Sequence, residues 1–175
     1  MFFAEIVSRA ALLRPLVIAP PGAKAWLNAF LSGFGGFIAI FLLAQLTSDL
    51  HTLLLIAPFG ASCVLAFALP QSPLAQPRNI VGGHLISTAI GLAVFSLLGS
   101  QPLAFGAAVG IAIAAMELTG TLHPPAGADP IVVLTAKASW TFLISPVLTG
   151  AVAIVLLAIV YHRAISRRPY PIKVF

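Results

Sequence analysis

The residues best placed to do chemistry in this chain sit in one short run, His123-Pro124-Pro125-Ala126-Gly127-Ala128-Asp129-Pro130. Histidine is the side chain that most readily changes charge near neutral pH. Three prolines and a glycine are a poor fit to a regular helix interior, so this backbone leaves polar groups over. Asp129 before Pro130 has the form of an N-cap followed by proline at the first helical position. A helix starting there aims unpaired N–H groups and its positive dipole end back at the Pro-Ala-Gly turn, which suits an anion. The other reading of the same residues is a tight or re-entrant turn with no ligand. A second run, Ala57-Pro58-Phe59-Gly60-Ala61-Ser62, reads against Pro124 to Asp129 at a constant offset of 67. Pro58, Gly60, Ala61 and Ser62 therefore join His123, Pro124, Pro125, Gly127, Ala128 and Asp129 as candidate substrate-binding residues.

Glu117 lies just upstream of His123, with Thr121 between them. Ionisable groups within apolar segments are costly and mark pathways or relays, so Glu117 and His123 are candidates for a proton relay. The alternative is structural: Glu117 bonded to Thr121, and His123 capping a helix end. His84 lies early in its span and is assigned to packing or an interface, and His51 and His162, at segment ends, to solvent. The histidines show no ligand spacing and the single cysteine, Cys63, allows neither a disulfide nor a cysteine–metal framework, so no metal or other cofactor is expected. Hydrolase, metalloprotease and phosphate-loop motifs are missing, and four acidic residues leave little for an enzyme to work with.

The elements that must position these residues are membrane helices. Of 175 residues 60% are hydrophobic and 7% charged, against roughly 25% charged in a soluble domain. A bilayer-spanning helix takes about 20 apolar residues, so five or six segments use up the chain. The net charge of +5 does not point to nucleic acid: seven of the nine Lys and Arg lie at the two ends, without a basic stripe between. Flanking charge of that kind keeps both termini cytoplasmic and the number of crossings even.

Residues 1–24 alternate Phe2, Phe3, Ile6, Val7, Ala10 and Leu13 with Glu5, Arg9 and Arg14, a pattern for an interfacial helix rather than a signal peptide. Apolar segments then cover residues 26–46, 52–69, 80–98, 103–121, 123–137 and 140–161. The second and fifth are broken by proline and glycine, and the offset that relates them also places Gly83 on Gly150. The chain thus reads as two copies of span, broken segment, span, and paired interruptions of this kind point to a transporter's binding site. The expected fold is an all-α membrane protein: about four transmembrane helices plus two Pro/Gly-broken or re-entrant half-helix segments, with an internal repeat. If the broken segments re-enter, four helices cross and the repeats are parallel; if they cross, there are six passages and the repeats are inverted. Gly33, Gly35, Gly36, Gly106 and Gly110 make small-residue faces suited to close helix approach, within a protomer or in a homo-oligomer.

The stretch Thr119 to Pro130, T-G-T-L-H-P-P-A-G-A-D-P, resembles the HPP family of small integral membrane proteins. Ala57 to Ser62, Gln76-Pro77-Arg78-Asn79 and Gly82-Gly83-His84 resemble it too, and the likeness covers roughly residues 25–165. It implies a four-span membrane domain there, with residues 166–175 as a cytoplasmic tail and no regulatory C-terminal domain. It also implies a bacterial plasma membrane and nitrite uptake, which agrees with an anion site at the two broken segments. The expected partners are therefore the lipid bilayer, a small anion and further copies of the chain. A non-transporting membrane scaffold or sensor is the alternative.

Overall fold

The computed structural model describes residues 22–172; the interfacial segment expected over residues 1–24 lies almost wholly outside them. Six α-helices and their irregular extensions make up the described chain: α1 Ala23–Leu50, α2 Pro58–Cys63, α3 Pro77–Leu98, α4 Pro102–Leu118, α5 Asp129–Ala136 and α6 Thr149–Tyr161. A wide turn continues α2 through Val64–Ala68, and a tight turn at Pro124–Ala128 leads into α5. The last passage, Trp140–Ser166, includes α6 and is interrupted at Ser145, whose backbone is extended (φ −127°, ψ 119°). Ala23–Leu50, Pro77–Leu98 and Trp140–Ser166 are long and apolar enough to cross a membrane. The 17 residues of α4 span about 25 Å, slightly less than the hydrocarbon core. The all-α membrane fold is as the sequence indicated.

Hydrogen bonds fix which ends of these elements lie together. At one end, Tyr161 Oη donates to Leu31 O (2.6 Å) and Arg168 Nη1 reaches Ser32 Oγ (3.5 Å) and the carbonyls of Phe67 and Ala68 (both 3.4 Å). Ile172 N–H donates to Gln76 Oε1 (2.9 Å), and Arg78 Nη2 to Thr119 O (2.6 Å), at this same end. At the other end, Leu54 N–H donates to Thr47 Oγ1 (3.0 Å), Ser145 Oγ to Leu53 O (2.7 Å) and Ser100 Oγ to Leu134 O (2.8 Å). The chain therefore passes the bundle six times. Residues 51–68 run from the distal end back to the terminal end, and residues 119–137 run the opposite way. Both broken segments run from one end of the bundle to the other, the six-passage arrangement that the sequence left open beside the four continuous spans. Each does so half as helix and half as irregular arm. The 11 residues of Pro58–Ala68 cover about 16 Å and the eight of α5 about 12 Å, each near half of a hydrocarbon core.

The repeat is inverted, and its halves interlock. A Cβ added to Gly83 on α3 would lie 2.9 Å from the carbonyl oxygen of Thr121, and one added to Gly150 on α6 would lie 2.7 Å from that of Leu54. Thr121 and Leu54 stand at the offset that also relates Gly150 to Gly83. The third helix of each half is thus notched by glycine to admit the arm of the other half's broken segment, because no larger residue leaves room for the backbone there. The helices around these arms pack through small residues: Ala104, Ala108 and Ala112 of α4 are buried at every fourth position, which brings α4 close against α3. By contrast α1 touches the bundle through Gly35, Ala39 and Leu43 and turns Phe30, Phe34, Phe37 and Phe41 outward.

Candidate functional site

The site forms where both broken segments pass α3. Gly83, His84, Ser87, Thr88 and Gly91 fall on one side of that helix at spacings of one, four, five and eight, and all five are buried. The two outer glycines are cradles: a Cβ on Gly83 would lie 2.7 Å from that of His123, and one on Gly91 would lie 2.9 Å from Pro130 Cα. Between them His84 projects to the junction of α2 and α5.

Four fully buried side chains meet there. Ser62 Oγ lies 2.8 Å from His84 Nε2 and 2.9 Å from His123 Nε2. On its other side His84 faces Asp129 through Nδ1 and Oδ2, 2.7 Å apart, and Thr88 Oγ1 donates to the same oxygen at 3.3 Å. His123 Nδ1 meets the carbonyl of Leu74 at 2.8 Å. Ser87 Oγ donates to Ala126 O at 2.6 Å and holds the turn in place. Ser62, His84, His123 and Asp129 are all 0% exposed, and Asp129 Oδ1 has no hydrogen-bond partner among the described residues. His84 is eighth in α3, so the cluster lies about 10 Å inside the terminal end.

Ser62, His84 and Asp129 are ordered as in a hydrolytic triad. The hydroxyl, however, is enclosed, and a second imidazole already occupies it, so no carbonyl substrate has access to Oγ. What the arrangement can do without opening is pass protons along a continuous hydrogen-bonded chain.

Two spaces adjoin the cluster. A vestibule of about 510 Å³ at the terminal end is lined by Pro73, Gln76, Arg78, Asn79, Gly120 and Leu122, of which Pro73 and Leu122 are the chain neighbours of Leu74 and His123. An apolar groove of about 690 Å³ runs between the broken segments on the outside of the bundle, lined by Pro58, Ala61, Val64, Pro124, Pro125 and Ala128.

A family model described as "HPP, transmembrane region" matches residues 20–171. The chain belongs to the HPP family. Two Dictyostelium discoideum proteins, each named as a transmembrane protein, are similar to it: one is 35% identical over 153 residues and the other 34% over 152. Each alignment covers 82% of this chain but 49% and 53% of those proteins, so the chain spans about half the length of the curated relatives it matches. No solved structure matches it.

Within this HPP domain the expected site residues divide into two groups. Ser62, His123 and Asp129 enter the buried cluster, while Pro58, Ala61, Pro124, Pro125 and Ala128 line the outer groove. Gly60 and Gly127 have open space where a Cβ would be. Leftover donors at the start of α2 are not found, because Phe59 N–H bonds Ile56 O and Gly60 N–H bonds Ala57 O, each at 3.1 Å. Nor is Asp129 an N-cap: it is the first residue of α5 after Ala128, and its carboxyl group turns to His84 and Thr88.

Glu117 stands apart from His123. It is exposed in the last turn of α4, and Thr121, its expected partner, bonds Thr119 instead at 2.8 Å. His162 is buried rather than solvated, with Nε2 at 2.8 Å from Ala66 O. His84, read from sequence as packing or interfacial, is the central member of the cluster. The signal for it was the small and polar stripe on α3, since such residues in an otherwise apolar helix mark its buried face.

Proposed function

We propose that this HPP protein is a permease for a small monovalent anion, nitrite first among them. The observation that carries the reading is the convergence of two broken, traversing segments on one buried polar cluster. In transporters built from inverted repeats, substrate sites lie where discontinuous helices of the two halves meet. Ser62 and Asp129 occupy equivalent positions in the two halves and are joined here through a single histidine. The nitrite assignment comes from the family resemblance. Arg78 at the vestibule supports the sign of the charge, as a cation at the mouth of a path that has no Lys or Arg further in, among the described residues. Such a cation raises the local concentration of an anion, and partial charges further in leave it free to depart.

The charges also support an orientation. Lys24, Arg78, Arg163, Arg167 and Arg168 lie at the terminal end and Lys137 at the distal end, so the terminal end faces the cytoplasm by the positive-inside rule. Placement in a bacterial inner membrane rests on the resemblance alone. Gly106 and Gly110 present an open small-residue stripe on the outside of α4, which suits a homo-oligomer contact. Purified protein in liposomes should admit nitrite at a rate set by protein content and lowered by Arg78→Ala. Liposomes no more permeable with the protein than without it would favour a membrane scaffold or sensor instead.

A further inference from the structure

Counting hydrogens across the buried cluster leads to a mechanism. A carbonyl oxygen only accepts, so His123 Nδ1 carries a hydrogen toward Leu74 O. Ser62 has one hydroxyl hydrogen and two imidazole Nε2 atoms within 2.9 Å of its oxygen. Both nitrogens cannot accept that one hydrogen, so at least one of them donates to Oγ. If His84 Nε2 donates, its Nδ1 either accepts from a protonated Asp129 or also carries a hydrogen and faces a carboxylate. If His123 Nε2 donates, His123 is an imidazolium and His84 keeps its hydrogen on Nδ1, toward the Asp129 carboxylate. These are three placements of a single proton, and in each the group as a whole has no net charge. Were Ser62 to donate to Pro58 O instead, at 3.3 Å, both Nε2 atoms would need hydrogens and a net positive charge would be buried, at high cost.

We propose that Asp129, His84, Ser62 and His123 form a proton relay that carries a proton with each anion. Passage from Asp129 to His123 takes two steps, the second moving two hydrogens together. Asp129 Oδ2–H first gives its proton to His84 Nδ1, leaving a carboxylate beside an imidazolium. His84 Nε2–H then protonates Ser62 Oγ as the Ser62 hydroxyl proton passes to His123 Nε2. Bonds to hydrogen broken and formed are equal in number, and the heavy atoms keep their places. The proton finishes on the ring bonded to Leu74 O, on the terminal side of the cluster. In this direction it leaves a carboxylate at the deep end. One proton taken up by that carboxylate from the distal side and one released by His123 on the terminal side complete the turnover. One positive charge thus crosses with each anion, and no permanent cation is buried.

The surrounding elements bring no competing charge. Cys63 beside Ser62 is a buried free thiol, Arg78 on α3 is held by Thr119 O, His162 on the passage of α6 bonds Ala66 and Ser166, and Glu117 on α4 and Lys137 after α5 are exposed.

The proposal rests on the permease reading, and one set of measurements separates the two. Protein in vesicles loaded with a pH-sensitive dye is given external nitrite, and anion uptake and internal acidification are recorded separately. Protons should enter with nitrite, uptake should be insensitive to membrane potential, and Ser62→Ala should abolish the proton component. If nitrite enters without protons and Ser62→Ala matches the unsubstituted protein, the relay is wrong and the permease stands.

If no nitrite enters, the permease reading fails. The relay is then judged by infrared spectroscopy on the anion-free protein, with the carboxyl bands of Asp129 assigned by their loss in Asp129→Asn. Ser62 does not touch Asp129, so a shift of those bands in Ser62→Ala supports proton sharing through His84, and unmoved bands overturn it. His123→Gln is the second variant for both measurements should Ser62→Ala fold poorly.

Discussion

The bond between His84 and Asp129 yields a prediction whose size separates two roles for the aspartate. Were Asp129 a helix cap, Asp129→Ala would cost about 1 kcal/mol and the identity of residue 84 would not matter. In the structure the carboxyl oxygen instead lies 2.7 Å from His84 Nδ1 and also accepts from Thr88, with both partners of the short bond fully buried. Interhelical hydrogen bonds within membrane proteins average only about 0.6 kcal/mol, because the dissociated helices find other partners. A hydrogen bond that involves an ionised group contributes about 1.5–3 kcal/mol. A double-mutant cycle with Asp129→Ala and His84→Ala, followed by reversible unfolding in mixed micelles, should therefore give a coupling of at least about 1.5 kcal/mol. Asp129→Asn keeps the shape and one bond, and should cost less than Asp129→Ala. Coupling at or below the ordinary value of about 0.6 kcal/mol would show that no shared or transferred charge resides on this pair.

Other outcomes follow from the same geometry. Gly127→Val should fold, because a Cβ there meets nothing within 4 Å, yet should slow anion uptake by crowding the space between the broken segments; normal uptake would move the pathway elsewhere. Gly83→Val should lose about 1–3 kcal/mol of stability by overpacking against His123 and Thr121, measurable in the same micelles. In a Cys63→Ala background, cysteines at Gln71 and Lys137 should be labelled from opposite faces of the membrane, and labelling from one face would restore the re-entrant arrangement. Gly110→Leu should lower the protomer number found by native mass measurement in nanodiscs, provided the open stripe on α4 is an oligomer contact.

Much of the frame was legible in the sequence because it follows from local chemistry. Apolar length places α1, α3 and the last passage, proline and glycine mark the two broken segments, and the offset from Pro58 to Pro125 reveals the repeat. The depth of those segments was not legible, since an extended arm such as residues 51–57 has no periodicity that says how far it travels. In the site, Ser62, His123 and Asp129 were visible from their broken surroundings, whereas for His84 the stripe of Gly83, Ser87, Thr88 and Gly91 marked only a buried face and not its partners. Its partners stand 22 and 45 residues away, and nothing adjacent signals them. Glu117 misled for the converse reason. Proximity in sequence to His123 suggested a shared site, but α4 ends at Leu118, and the acid emerges at the bundle's end and points outward.

The interlocked repeat gives the site a further property, because its chemistry does not obey the symmetry of its frame. Ser62 and Asp129 are equivalent positions, and both belong to the cluster. The equivalents of His84, Ser87, Thr88 and His123 at the same offset are Ala151, Ile154, Val155 and Ile56, which are buried and apolar. One half of the junction, toward the terminal end, is therefore polar and fully hydrogen-bonded apart from a single carboxyl oxygen, while its mirror half toward the distal end is a dry core packed around Phe59. Inverted repeats can exchange their conformations to open a site to either side, but here the exchange cannot produce equivalent states. On the permease reading, opening to the terminal side would bring the cluster toward the Arg78 vestibule, where its proton exchanges with water. Opened to the distal side, the same groups would face apolar walls, where a charge separated between Asp129 and His123 is disfavoured. The state with its proton on Asp129 and both rings neutral would then be preferred, so a relay of the kind proposed would meet the two sides of the membrane in different protonation states with one set of atoms.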